Sequence, residues 1–295
     1  MTENISTKIT PDRLLLATDL SVRCDRALDR AAQLAGEWHA EMIALNVLDP
    51  AATPDQALAW ASGASEEQLL QVAREQLRRD IADVKIPATL HIARNHDAAA
   101  AIADMATRSN AGIVVTGIAS DEMFGRFLLG STVEQLARSL PQPLLVVRNR
   151  VAAPYQRIVV ASDFSASSRH ALQAAAALFP DRELTVFHAY EMPLSGLSTE
   201  SPPSPAAIAM AQGEYAAWLH ACALPAQVRV RLVVERGPTE IALSRYVRQH
   251  AIELVALASQ GSSGIMDLLL GSTAAKLLEW LPCDTLLVHA PRTSP

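Results

Sequence analysis

Residues 13–28 read RLLLATDLSVRCDRAL, and residues 157–172 read RIVVASDFSASSRHAL. Each is an apolar run of strand length that ends in an aspartate. A serine follows two residues later, and a helix-like segment closes on Ala-Leu. The two stretches agree in register, so the chain repeats itself. The other end of the repeat is the pattern LLGST-x3-L-x3-LP-x3-L-x-V, which begins at Leu128 and again at Leu269. Asp19 to Asp163 is an offset of 144 residues, and Gly130 to Gly271 is an offset of 141. The second copy is therefore three residues shorter in its middle, as expected where loops differ and framework elements do not. The unit is a whole domain rather than a solenoid module. The boundary falls between Arg148 and Arg157, which predicts domains at 1–150 and 154–295.

Within each copy the apolar runs alternate with segments at helical spacing. The first copy predicts strands at 14–18, 42–47, 88–93, 112–117 and 143–147. The second predicts them at 158–162, 184–189, 228–234, 254–259 and 285–289. Most are unbroken apolar stretches, the pattern of strands covered on both faces of a parallel sheet. Ser65-Glu66-Glu67-Gln68 reads as a capping box that starts a helix running to about Asp83. Alternating strands and helices with right-handed crossovers give two tandem doubly wound, Rossmann-like α/β domains, each a five-stranded mainly parallel sheet flanked by helices. The Pro/Ser/Ala-rich stretches after the second strand of each copy read as loops leading into a helix.

The 295 residues suit two domains, and half of them are apolar, enough for two cores. A net charge of −6 argues against a nucleic-acid surface. The adjacent pair Arg78-Arg79 sits in a helical pattern and reads as a solvated face. The polar start MTENISTKITPDR has no signal-peptide core, and no apolar run reaches bilayer length. The three cysteines, Cys24, Cys222 and Cys283, have no CxxC spacing and read as free thiols. Together these features predict a soluble, cytoplasmic protein.

Ligands of open parallel sheets lie beyond the carboxyl ends of the strands, where the strand order switches. After the first strand stand Asp19 and Asp163. After the fourth stand GIASDEMFGRFLLGST (117–132) and ASQGSSGIMDLLLGST (258–273). The residues Gly130-Ser131 and Gly271-Ser272 carry two readings. As structure, serine is a preferred N-cap, with Ser131 and Glu134 forming a capping box. As function, a helix N-terminus behind a glycine offers free N–H groups and a favourable dipole to a phosphate. The spacing alone favours the cap. Asp19 and Asp163 read as general-base candidates without an evident nucleophile, or simply as turn residues. Walker, G-x-G-x-x-G, HExxH and G-x-S-x-G patterns are absent from the sequence. His170 and His188 read as structural or exposed.

The strand-end Asp-x-Ser, the glycine-containing loop after strand four, the Gly-Ser-Thr at the last helix and the closing LP-x3-LLV strand together resemble the universal stress protein family. The resemblance covers both halves, in the manner of its tandem members. Some members bind ATP through G-x2-G-x9-G-[ST], and others lack the glycines and do not. Here the first copy reads Gly117-x2-Ser120-x9-Gly130-Ser131, with Asp121 and Glu122 behind Ser120, whose carboxylates would repel a triphosphate. The second reads Ala258-x2-Gly261-x9-Gly271-Ser272 with an uncharged loop carrying Gly261 and Gly264. The resemblance implies an ATP site, with or without Mg²⁺, bordered by Asp163 and Ala189 in the second copy and by Asp19 and Val47 in the first. The second copy is expected to hold the better site.

The resemblance further implies a nucleotide-responsive regulator or stress-survival factor rather than a fast enzyme, with slow ATP hydrolysis as a weaker option. It implies a pseudo-dimer in which the copies pack through their final strands, and association of two such chains. The alternative, favoured by the imperfect glycines, is an interaction protein of the same fold that binds another metabolite, a lipid or a protein.

Overall fold

The structure is a computed structural model that describes residues 10–21, 24–48, 66–82, 84–118, 122–123, 126–127, 130–190, 205–260 and 270–289. The first copy comprises β1 (Arg13–Thr18), α1 (Asp25–Trp38), β2 (Glu41–Leu48), α2 (Glu66–Asp80), β3 (Ala88–Arg94), α3 (Ala98–Arg108) and β4 (Val114–Gly117). It continues with β5 (Glu122–Met123), β6 (Arg126–Phe127), α4 (Ser131–Ser139) and β7 (Leu144–Val147). The second comprises β8 (Ile158–Ala161), α5 (Ala166–Leu178), β9 (Leu184–Tyr190), α6 (Pro205–Ala221), β10 (Val230–Arg236), α7 (Thr239–Gln249), β11 (Leu254–Ala258), α8 (Ser272–Trp280) and β12 (Asp284–Val288).

Each copy is a parallel sheet with the first strand at its centre, so the order switches between β1 and β4 and between β8 and β11. The two sheets are not separate. Strand β12 pairs antiparallel with β7, Leu286 opposite Leu145, and the copies share one sheet in the order β10-β9-β8-β11-β12-β7-β4-β1-β2-β3. The pseudo-dimer through final strands is therefore built into the chain. Strands β5 and β6 form a separate two-residue antiparallel ribbon, which the periodicity does not predict because two-residue runs carry no period.

The burial pattern explains the strength of the strand signal. In β1, Leu14 and Leu16 pack into one core layer and Leu15 and Ala17 into the other, as the two-residue period of a strand requires. Each layer runs across both copies. On one face α1 meets α5: the Trp38 ring lies 6.0 Å from that of Phe179, and its indole N–H donates to the Leu178 carbonyl at 3.0 Å. Arg182 closes this face on Glu37 at 2.8 Å. The last helices α4 and α8 lie on the other face, through Val133, Leu136, Leu277 and Leu278.

The segment between the copies is more than a connector. Asp284, fully buried, accepts from the backbone N–H of Arg148 at 2.8 Å and of Asn149 at 3.0 Å, and from the Tyr155 hydroxyl at 2.5 Å. Arg30 Nε stands 3.5 Å from Oδ2, the oxygen that also takes the Tyr155 hydroxyl, and its guanidinium stacks on the Tyr155 ring. Burial, with Asp284 beside it, pushes the Tyr155 hydroxyl well above its ordinary pKa, so it stays a donor.

All three cysteines are free, with Cys222 and Cys283 buried. No helix among the described residues is long and apolar enough to cross a membrane. Arg78 and Arg79 are exposed on α2, as expected. That helix ends at Asp80, short of Asp83, and its predicted cap Ser65 lies outside the described residues.

Candidate functional site

The turn after the first strand is built alike in both copies. Asp19 Oδ1 accepts from the Ser21 N–H at 2.9 Å, and Asp163 Oδ1 from the Ser165 N–H at 3.1 Å. The residue between them is left-handed in each case, Leu20 at φ 61 and Phe164 at φ 58. Side chains are strained there, so the turn must be held from outside. It is: Gln76 donates to the Leu20 carbonyl at 2.8 Å, and the Trp218 indole donates to the Ser165 carbonyl at 2.9 Å. Asn46 donates to the Thr18 carbonyl at 2.9 Å, and His188 Nδ1 lies 3.0 Å from the Ser162 carbonyl, which makes that nitrogen the donor. The His188 ring also stacks on Phe164, 4.4 Å between centroids. His188 is thus structural, as the sequence suggests.

The aspartates project at the strand ends and are largely open to solvent. Partial desolvation pushes the Asp19 carboxyl up, but hydrogen bonds from Ser21 and the Cys24 thiol outweigh it and hold the group below its ordinary value. Burial, reinforced by Asp19, pushes the Cys24 thiol up to about 12. Both effects keep Asp19 an anion and Cys24 a neutral thiol at neutral pH.

In the second copy the switch point opens into a cavity of about 230 Å³. Asp163 and Ser162 line it from the end of β8, Ala189 from β9, and Ala258 from β11. Gly271, Ser272 and Thr273 form another side. Gln260 and Leu257 also line it, and so does Thr239 at the start of α7. The Gly271 N–H donates to the Ser259 carbonyl at 2.8 Å, which closes the base of the loop leading from β11 into α8.

The helix starts correct one expectation. The N-caps are Gly130 and Gly271, at φ −66 and φ −58, and the serines are the first helical residues. No capping box forms; Glu134 faces Arg138 at 3.7 Å instead. The physical reason is that glycine adopts the extended cap conformation readily, which moves the helix start one residue later than the serine rule places it. The first helical bonds are Glu134 N–H to Gly130 at 3.1 Å and Ala275 N–H to Gly271 at 2.9 Å. The N–H groups of Ser272, Thr273 and Ala274 therefore have no acceptor within the helix, and all three residues line the cavity. An added Cβ at Gly130 would meet nothing within 4 Å, so neither conformation nor packing demands glycine there.

The structure brings Asp163, Ala189, Ala258, Gly271 and Ser272 around one cavity. In the first copy it places Asp19, Val47, Gly117, Gly130 and Ser131 at the equivalent strand ends and helix start. Gly117 pairs with Val147 as Ala258 pairs with Val288. Gly261 and Gly264, Ser120 and Asp121, and the Glu122 side chain lie outside the described residues. Thr239 also lines the cavity, a residue that no motif in the sequence singles out, although one signal is present. Gly237-Pro238-Thr239 follows the third strand, Gly237 takes φ 119, a conformation that suits glycine, and Thr239 opens α7 beside the cavity.

With this geometry in place, the comparisons are consistent with one another. The model of the universal stress protein family matches residues 11–148 and again 154–289. The chain belongs to the universal stress protein family, as a tandem form. It is 30% identical over 159 residues to the universal stress protein Slr1230 of Synechocystis sp., a match that spans 52% of this chain and 50% of that protein. Two solved structures share the fold over nearly the whole length. A universal stress protein from Archaeoglobus fulgidus DSM 4304 is 19% identical at TM-score 0.65, covering 94% of this chain and 98% of that one. A putative universal stress protein from Pseudomonas aeruginosa UCBPP-PA14 is 17% identical at TM-score 0.67, covering 96% and 94%.

Proposed function

We propose that the C-terminal copy binds ATP, with or without Mg²⁺, and that the chain acts as a nucleotide-responsive regulator in the stress response rather than a fast enzyme. The observation that carries this reading is the cavity at the β8–β11 switch point, with three N–H groups of α8 unclaimed by the helix. Such a helix start favours an anion through both its donors and its dipole. Gly271 leaves the approach clear of a side chain. In this reading the phosphates lie at Ser272 and Thr273, and the nucleoside lies between Asp163 and Ala189. Loop residues Gly261 and Gly264 would close over the phosphates. The first copy keeps Gly130 and Ser131 but has Ser120, Asp121 and Glu122 in its loop, so it is the weaker site. The described lining holds one carboxylate, Asp163, and no lysine or histidine, which suits holding a nucleotide rather than turning it over.

Titration calorimetry with ATP and Mg²⁺ tests the proposal. Saturable heat at millimolar nucleotide or below is expected, and its absence removes the reading. The second reading takes a non-nucleotide ligand, on the strength of Ala258 standing where nucleotide-binding members have glycine. Mass spectrometry of small molecules released from the denatured protein separates the two: an adenine nucleotide supports the first, and an apolar compound supports the second.

A further inference from the structure

Helix α8 joins two places that belong to different halves of the chain. Its first turn lines the cavity. Its last turn ends on a residue of the N-terminal copy, because Nη2 of Arg148 donates to the Leu278 carbonyl. The helix has nine residues, about 13 Å at a rise of about 1.5 Å per residue. Its inner face is packed through Ala274, Leu277 and Leu278, all buried. A short packed helix moves as a rod, so whatever fixes its end also places its N–H groups.

Arg148 is itself fixed. It is 3% exposed. Asp284 of the C-terminal copy accepts from its backbone N–H at 2.8 Å, and Arg26 of the N-terminal copy donates to its carbonyl at 2.6 Å. Burial pulls the guanidinium down to about 10, opposed by nearby Asp284, so it remains charged at neutral pH. A buried cation is costly without a counterpart. The C-terminal carbonyls of α8, the negative end of its dipole, supply one.

The pseudo-symmetric position is occupied differently. His289 follows β12 as Arg148 follows β7, at the same offset of 141. Its ring lies near the carbonyl groups of Ala137 and Arg138 in the last turn of α4. Both ring nitrogens are buried without closing a hydrogen bond, and burial pulls the ring below its ordinary pKa. Each copy thus sends the residue after its final strand to the other copy's last helix. The exchange is unequal: α8 receives a permanent cation and α4 a neutral ring.

We infer that Arg148 of the N-terminal copy is a positioning residue for the phosphate end of the site in the C-terminal copy, acting through α8. The inference rests on the nucleotide reading above. It makes the C-terminal site dependent on a side chain that its own repeat does not encode.

The full chain is titrated with ATP–Mg²⁺ and, separately, with adenosine, as wild type, Arg148→Met and Arg148→Lys. Adenosine reports the walls made by β8, β9 and β11, whereas ATP also reports the start of α8. Arg148→Met is expected to weaken ATP by about three- to tenfold and to leave adenosine within about twofold. Arg148→Lys recovers part of the loss, because it keeps the charge without the fork. Equal losses for both ligands, or no loss for ATP, overturn the inference. Hydrogen exchange gives a readout that needs no nucleotide. The amides of Ala275, Lys276 and Leu277 should exchange faster in Arg148→Met, while those of β8 stay as in wild type. Unchanged exchange in that turn overturns the inference as well. A wild-type chain that binds neither ligand sinks the nucleotide reading instead, and the exchange experiment still decides whether Arg148 places α8.

Discussion

Ser272 separates two roles that the sequence leaves superimposed. As an N-cap it would hold the helix; as the first helical residue behind Gly271 it lines the cavity. Loss of a capping serine costs about 0.5–2 kcal/mol. Ser272→Ala is therefore expected to leave stability within about 0.5 kcal/mol of wild type, since no cap is lost. The same change should weaken ATP. Urea denaturation and calorimetry read the two effects, and a destabilisation of cap size would restore the capping role.

At the same scale lies the clearest limit on what the sequence shows. Asp19 and Asp163 are visible as strand-end residues, yet their Asx turns depend on Gln76, Trp218, Asn46 and His188, which are distant in the chain. Serine at a helix start is a sound local rule. A glycine one residue earlier overrides it, and only the backbone reveals which residue takes the extended conformation.

The elements that were legible are those whose signal is local. The apolar runs lie within about two residues of every principal strand: the inner strands are buried on both faces and read as continuous apolar stretches, whereas the edge strands β3 and β10 are only partly covered and carry a mixed pattern. The ribbon β5–β6 lies in the first copy's loop and rests against α8 of the second copy, a tertiary contact that no local period encodes. Thr239 reaches the cavity because Gly237 turns the chain, and Gly-Pro reads equally well as an ordinary loop.

The last helices carry a pH prediction. Burial depresses the folded pKa of His289 below its ordinary 6.5. The stabilisation tied to the neutral ring is then complete above about pH 6.5 and is lost as pH falls through the lower folded value, because the unfolded chain takes the proton first. His289→Gln removes that titration. The stability advantage of wild type over this variant should shrink between pH 7 and pH 5 in urea denaturation, and a constant advantage would contradict the account.

Across the whole molecule, the sequence shows the duplication, but the fusion rests on asymmetric residues. Asp284 stands where the first copy has Pro143, at the same offset of 141. It gathers Arg30, Tyr155 and the Arg148–Asn149 backbone into one buried cluster at the junction. Both core layers run across the β7–β12 seam. The chain is thus expected to unfold in one transition rather than two. Asp284→Ala should destabilise it by about 3 kcal/mol or more, as breaking a buried ion pair leaves a charge unpaired. Denaturation followed by both fluorescence and circular dichroism checks this. Two separated transitions in wild type would show that the copies fold independently.

The central claim is that the C-terminal copy holds the nucleotide at the start of α8. Gly271 and Gly130 occupy the same place in the two copies, so paired variants test it most directly. Calorimetric titration of ATP–Mg²⁺ into Gly271→Leu and Gly130→Leu should show binding abolished in the first and retained in the second. Binding that survives Gly271→Leu, or that vanishes only with Gly130→Leu, would contradict the account.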